Sequence, residues 1–390
     1  MTDLYMLEPD LSPAWFPFGT CRPICELRAS VWLIRERWEA VAGGEAQAIF
    51  GPEHLLAFAE DTVPSVKTQE PVVGPAIIGR SDFAPTGDDL ELPGEAARLV
   101  NEDATVGWWV PAGTTWQNPT DDWPAAVEIE GVALHGAYDV LTAMEHLLAP
   151  DTVDFQHEAG DELPPGSVVI GDPGDVVILG AAVEPGVTFD VRGGVVVIEQ
   201  NAYVKSGTRL EGPMYVGPGS EILGGSIHGS VIGPRCKVRG EVSDSVFLGY
   251  GNKGHDGFLG HSVVGRWVNL GAGTTTSNLK NTYGPIRLTI GNDDIETGRQ
   301  FLGTLFGDHA KTAIGTMMST GATVGAGANV FGFTSAPKYV PAFAWGDTGA
   351  KMQRDGFLKV AERVMPRRQV EVTDDVRSML ETIYDHSIKG

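Results

Sequence analysis

Between about residues 168 and 333, aliphatic side chains return at every sixth position. Ile198, Val204, Leu210, Val216 and Ile222 hold this register without a slip. Ile232 and Val238 resume it, Val264 and Leu270 repeat it, and Phe306, Thr312, Met318, Val324 and Val330 restore it. A six-residue period fits neither the 3.6 of an α-helix nor the 2 of a strand. It is the pattern of hexapeptide repeats that wind a chain into a β-helix, one short strand and one turn at a time. Turn-forming residues follow the apolar positions, as in Val216-Gly217-Pro218-Gly219 and Val324-Gly325-Ala326-Gly327. The expected form is a triangular prism, its aliphatic residues pointing inward and its coils paired backbone to backbone.

Three textures follow one another in the 390 residues. Residues 1–150 read as a compact α/β domain. A strand is expected over Leu4 to Leu7, and a helix over Glu26 to Ala42 on the spacing of Leu27, Val31, Ile34 and Trp38. A loop-rich stretch is expected from Gly74 to Gly94, and a second helix from Ala137 to Leu148. Residues 168–336 form the repeats, and 337–390 a C-terminal extension. In the extension, Phe357 to Val364 and Asp374 to Tyr384 read as helices that would cover the open end of the coil stack. The hexad register breaks over 274–303, a polar segment that reads as a loop leaving the prism, and long loops of this kind are usually functional.

Charge narrows the function. Fifty-one acidic residues against 28 Lys and Arg give a net charge of −23, which argues against a nucleic-acid surface. An anionic ligand would need the field inverted locally by a few basic side chains. No apolar run approaches the roughly 20 residues that cross a bilayer, and Met1 to Tyr5 does not open a secretory leader, so a cytoplasmic protein is expected. Cys21, Cys25 and Cys236 lack neighbouring ligands for a metal and read as buried thiols.

The segment Asn252-Lys253-Gly254-His255-Asp256-Gly257-Phe258-Leu259-Gly260, followed by Asn269-Leu270-Gly271-Ala272-Gly273-Thr274 and Asn278, resembles the acyltransferase half of the GlmU family. Thr297 to Gly303 and Phe306-Gly307-Asp308 resemble the archaeal-type sugar-1-phosphate nucleotidylyltransferase/acetyltransferases of the same superfamily. The resemblance implies a left-handed β-helix, a homotrimer, and acetyl transfer from acetyl-CoA to an amino-sugar phosphate. It places His255 as general base, with Asn269 and Asn278 positioning the sugar. Imidazole suits the first role because a sugar ammonium must lose a proton before its nitrogen attacks a thioester. Backbone amides around Gly271 to Gly273, and hence Ala272 and Gly273, would meet the acyl oxygen. Lys253, Arg266, Lys280, Arg287 and Arg299 are candidates for the phosphates of sugar and coenzyme. Phe258 stands where the family carries Tyr, so that hydroxyl is missing.

The stretch Phe18-Gly19-Thr20-Cys21-Arg22-Pro23 to Arg28 resembles the signature loop of a divergent sugar-nucleotidyltransferase-like branch with the same two-domain layout. Arg22 and Arg28 would there hold nucleotide phosphates at a helix N-terminus. Nucleotidyl transfer at that loop would call for Mg²⁺. Two alternatives to acyl transfer therefore stand: a sugar-1-phosphate nucleotidylyltransferase mounted on a trimerising β-helix, and a non-catalytic scaffold.

Overall fold

The structure, a computed structural model, describes residues 2–87, 90–333 and 335–389. The N-terminal domain is a seven-stranded mixed sheet. Its order is Ala125–Glu128, Ala97–Asn101, Ala104–Val110, Ala76–Arg80, Asp3–Leu7, Ala46–Phe50 and Val66–Lys67. Helix α1, Ile34–Ala42, crosses between the parallel strands Asp3–Leu7 and Ala46–Phe50. It is shorter than the sequence suggests. Leu27 and Val31 are buried like Ile34 and Trp38, but they belong to a 3₁₀ turn and a tight hairpin rather than to the helix. The helix starts where Glu36 accepts the Leu33 N–H at 2.7 Å, and it stops at Gly43 with φ of 68°. Trp38 lies flat on the sheet at Gly79, where a Cβ would meet the indole at 2.5 Å. The strand Ala76–Arg80 at the sheet centre lies inside the stretch expected to be loop; Asp88 and Asp89 of that stretch lie outside the described residues. Helix α2 runs Asp139–Asp154, straight through Pro150.

From Val168 the chain winds into the left-handed parallel β-helix, three faces to a coil. Face 1 carries Tyr203–Val204, Lys237–Val238, Asn252–Lys253 and Lys311–Thr312, and face 2 carries Thr208–Glu211, Phe258–Gly260 and Thr275–Thr276. Face 3 is a continuous stack of nine parallel strands from Val176–Ile178 to Tyr339–Val340. The hexad residues Ile198, Val204, Leu210, Val216 and Ile222 are completely buried in the prism. Face 3 is apolar on both sides. Val197, Tyr215, Val231, Val246, Val263 and Leu305 point outward into the core of the N-terminal domain, which explains runs such as Val195-Val196-Val197-Ile198.

The register break is a real excursion. It holds an antiparallel hairpin, Arg287–Ile290 with Asp293–Glu296, whose Ile286 and Leu288 are buried against the domain core. Helices α3, Arg354–Val364, and α4, Asp374–Lys389, do not lie over the end of the stack as expected. They run along the corner between faces 3 and 1. Residues of that corner, Arg235, Tyr250, Trp267, His309 and Phe343, all have positive φ. The Tyr250 and Trp267 rings stack there at 4.3 Å, and Phe357 of α3 meets His309 and Phe343 edge-on. The end of the stack is closed instead by Ala350–Lys351, paired antiparallel with Ala344–Trp345. All three cysteines are buried and free. No helix among the described residues is long and apolar enough to cross a membrane.

Candidate functional site

In a triangular prism with face 3 covered, the corner farthest from the N-terminal domain lies between faces 1 and 2. His255 sits at that corner, exposed, on the turn Gly254–Gly257. The turn is fixed from three sides. The Lys253 ammonium, buried beneath it, donates to the carbonyls of Arg239 at 2.8 Å and of His255 at 3.0 Å. Arg239 Nε donates to Asp256 Oδ1 at 3.0 Å. The Gly273 N–H donates to the Asp256 carbonyl at 2.9 Å. At Gly257, φ of 140° and a virtual Cβ only 2.2 Å from the Thr274 carbonyl admit glycine alone. The turn bearing His255 is thereby seated on the Gly271–Thr274 turn of the next coil, which brings His255 together with Ala272 and Gly273.

Asn278 stands at the far edge of face 2. Its amide nitrogen and the Phe258 ring converge over Gly260, where a Cβ would lie 2.7 and 2.5 Å from them. Asn269 is on face 1, exposed, its amide oxygen accepting from Asn252 Nδ2 at 2.7 Å. Among the described residues neither asparagine is hydrogen-bonded to His255. The imidazole that Asn278 meets is His261, nitrogen to Nδ1 at 2.9 Å, a contact the sequence reading missed. Burial lowers the pKa of His261, with Asp244 acting the other way, and Phe301 stacks on its ring at 5.1 Å. The column of His228, Asp244 and His261 up one corner was there to be found in the sequence, at spacings of one coil.

The backbone amides narrow the acyl-oxygen site. Gly271 N–H is taken by Thr312 Oγ1 at 3.0 Å and Gly273 N–H by Asp256, so of the three only the Ala272 amide has no acceptor among the described residues.

The cations expected to hold phosphates are nearly all engaged elsewhere. Arg22 is fully buried, donating to Asp308 at 2.6 Å and to Glu60 at 3.0 Å. Burial works against the charge on Arg22, but the two carboxylates outweigh it and hold its pKa well above the usual arginine value. Arg28 is buried against the carbonyls of Leu248 and Val31. Both therefore tie the signature loop to the β-helix, and nucleotide phosphates at Arg22 or Arg28 do not fit that burial. Arg266 is paired with Glu60, and Arg299 with Glu145 and Thr142 on α2. Arg287 pairs with Glu296 and Asp294 on the exposed hairpin, and Lys280 donates to the Pro285 carbonyl. Lys253 is consumed by its two carbonyls, and burial lowers its pKa to about 8. Among the described residues no group of three or more His, Cys, Asp or Glu gathers as a metal site.

A parallel β-helix with a glycine-locked histidine turn, joined to an α/β domain, defines the hexapeptide-repeat class. No family model matches the chain. It is 34% identical over 144 residues to a bifunctional sugar-1-phosphate nucleotidylyltransferase/acetyltransferase of Sulfurisphaera tokodaii, a match covering 35% of each protein. It is 30% identical over 124 residues to the bifunctional protein GlmU of Methanococcus vannielii, covering 32% of this chain and 25% of that one. It is 32% identical over 85 residues to the GlmU protein of Methanocaldococcus jannaschii, 22% of this chain and 21% of the other. The matches span about a third or less of these relatives, and it is over that extent that the chain is similar to them.

Proposed function

We propose that the protein is a transferase of sugar-nucleotide synthesis that moves an acetyl group from acetyl-CoA to the amine of an amino-sugar phosphate, with His255 as the base. The observation that carries this reading is the His255 turn itself: an exposed imidazole on a backbone locked to the Gly271–Thr274 turn, at the corner opposite the covered face. His255 takes the proton of the sugar ammonium, and the freed nitrogen attacks the thioester carbonyl carbon. Charge that develops on the acyl oxygen is met by the Ala272 amide, and the thiolate of the coenzyme leaves. Asn278, beside Phe258, orients the sugar along face 2; Asn269 lies one face away, so its part in the same site is supplied by a neighbouring subunit of a homotrimer. A cytoplasmic homotrimer is part of this proposal. The similarity to named nucleotidylyltransferases supports sugar-nucleotide chemistry, while the burial of Arg22 and Arg28 favours acyl transfer over nucleotidyl transfer at the signature loop.

The test is acetyl-CoA consumption with a panel of amino-sugar phosphates, comparing wild type with His255→Ala. Removing a positioned base is expected to slow turnover by about 100-fold or more. Because His255 is exposed and its ring has no hydrogen-bond partner among the described residues, the variant is expected to melt with wild type. Full activity in the variant overturns the assignment of the base.

A further inference from the structure

The inward column of face 1 holds one residue that the hexad register does not call for. Paired coil to coil, it runs Val204, Ile222, Val238 and Lys253, and Leu270, Thr312 and Val330 carry it on. Lys253 is 2% exposed, as buried as the aliphatic residues around it. An ammonium in such a place costs stability relative to an aliphatic side chain, even when its hydrogen bonds are made. No carboxylate pairs with it among the described residues; it donates instead to the carbonyls of Arg239 and His255. The preceding coil leaves room for it at Gly240, where φ is 100° and a Cβ would come within 3.1 Å of the Lys253 Nζ. Position, burial and this clearance point to a role other than filling the prism.

The two carbonyls belong to different coils, so the ammonium ties the His255 turn to the coil before it. The Gly273 N–H, donating to the Asp256 carbonyl, ties the same turn to the coil after it. Adjacent residues, 255 and 256, are thus held from opposite sides, which fixes the direction in which the imidazole leaves the backbone. Bonds from a charged donor are roughly twice as strong as neutral ones, and a neutral amine keeps N–H groups but not that charge. Few charged groups face Lys253. Asp256, on the turn, favours the ammonium. Arg239 sends its guanidinium to Asp256 and to the Leu223 carbonyl. Lys237 of the same strand pairs with Glu221, and Glu241 is exposed. The following coil brings Leu270 and the Gly271–Thr274 turn, which carry no titratable side chain.

We propose that Lys253 is a positioning residue whose ammonium, clamped between two coils, holds the imidazole of His255 in place for proton transfer. The inference rests on the reading of His255 as the base, and adds that the charge of Lys253, rather than its stem, does the holding. Burial lowers the pKa of Lys253 to about 8, with Asp256 opposing the shift. The clamp is therefore present at neutral pH and weakens as pH rises through that value. The first arm of the experiment compares acetyl-CoA turnover of wild type and Lys253→Met, which keeps an unbranched stem in the aliphatic column. At neutral pH kcat is expected to fall by about 10-fold or more while KM for the amine acceptor stays, since a misaligned base slows chemistry without loosening binding. The ratio of wild-type to variant kcat is expected to shrink toward unity above about pH 8, and the ratio cancels the titration of the acceptor amine. The second arm needs no turnover: with isotope-labelled histidine, the His255 ring signal, assigned by its absence in His255→Ala, is expected to step with a midpoint near pH 8 in wild type. Wild-type kcat in Lys253→Met overturns the proposal, as does a loss equal at every pH or a rise in KM with kcat kept. So does a ring signal that stays flat through the midpoint. Should the variant not fold, the wild-type ring signal decides by itself. Absence of acetyl transfer in wild type counts against the reading of His255 as base, while the ring signal still shows whether Lys253 clamps the turn.

Discussion

Two regions of the molecule use arginine in opposite ways. In the N-terminal domain the buried guanidiniums have carboxylate partners: Arg22 with Glu60 and, across the seam to the β-helix, Asp308; Arg35 with Glu26; Arg37 with Asp151. Beside the 365–368 turn Arg367 and Arg368 have no ion-pair partner among the described residues, and Arg235 has only the Arg368 carbonyl. Removing one partner of a buried pair leaves the other charge stranded, so these arginines are tied to the folded chain itself. An unpaired cation has no such partner to strand, and contributes nothing comparable to folding. The difference shows that a cation picked from sequence as a phosphate ligand must first be checked for a protein partner.

The comparison breaks most readily at Arg22. Replacing it with Met keeps the stem and strands Asp308 in the interior, while Glu60 keeps Arg266. Breaking a buried pair in this way costs about 3–5 kcal/mol. Chemical denaturation of Arg22→Met is expected to show that loss, together with exposure of the seam to proteolysis. A cost under 1 kcal/mol would mean that Arg22 and the arginines of the 365–368 turn are equivalent after all.

A smaller effect follows from His309, which is buried between the Trp267 and Phe357 rings where α3 docks. Burial, with Lys311 and Arg22 adding to it, lowers its pKa well below the usual histidine value. Such a group costs nothing above pH 6.5, where both folded and unfolded chains hold it neutral. As pH falls below 6.5 the unfolded chain takes up the proton and the folded one does not. Stability is therefore lost by up to about 1.4 kcal/mol per pH unit until the folded pKa is reached. His309→Gln is expected to flatten the fall in melting temperature between pH 6.5 and 5; an unchanged slope would remove His309 from the account. His261, also lowered by burial, adds a second and separate contribution in the same direction.

How much of this was legible in the sequence differs between the same regions. The hexad register was legible because each coil repeats the same demand for an aliphatic residue, and the residues that keep it are the ones buried. The longer first helix was misread because Leu27 and Val31 are buried at helical spacing for another reason, packing of a hairpin under the β-helix. The candidate base could be picked out, since its motif is local and glycine-locked. Roles for the arginines could not, because the partners of Arg22 lie 38 and 286 positions away. Arg367 and Arg368 drew no notice for the converse reason: adjacent cations in a helical tail look solvated until a fold sets them over face 1.

The smallest expected effect sharpens the comparison most. Arg368→Met is the same substitution as Arg22→Met, made in the other region. It keeps the apolar stem, removes the buried Nε that lacks an acceptor, and leaves the Arg368 carbonyl free to hold Arg235. Relief of one unsatisfied donor is worth up to about 1 kcal/mol, against the loss of a solvated charge that stabilises nothing in the chain. Denaturation is expected to show a stability unchanged or raised by up to about 1 kcal/mol. A loss as large as that of Arg22→Met would show that Arg368 is paired within the folded chain. It would then belong with Arg22, and the two regions would not differ in how they use arginine.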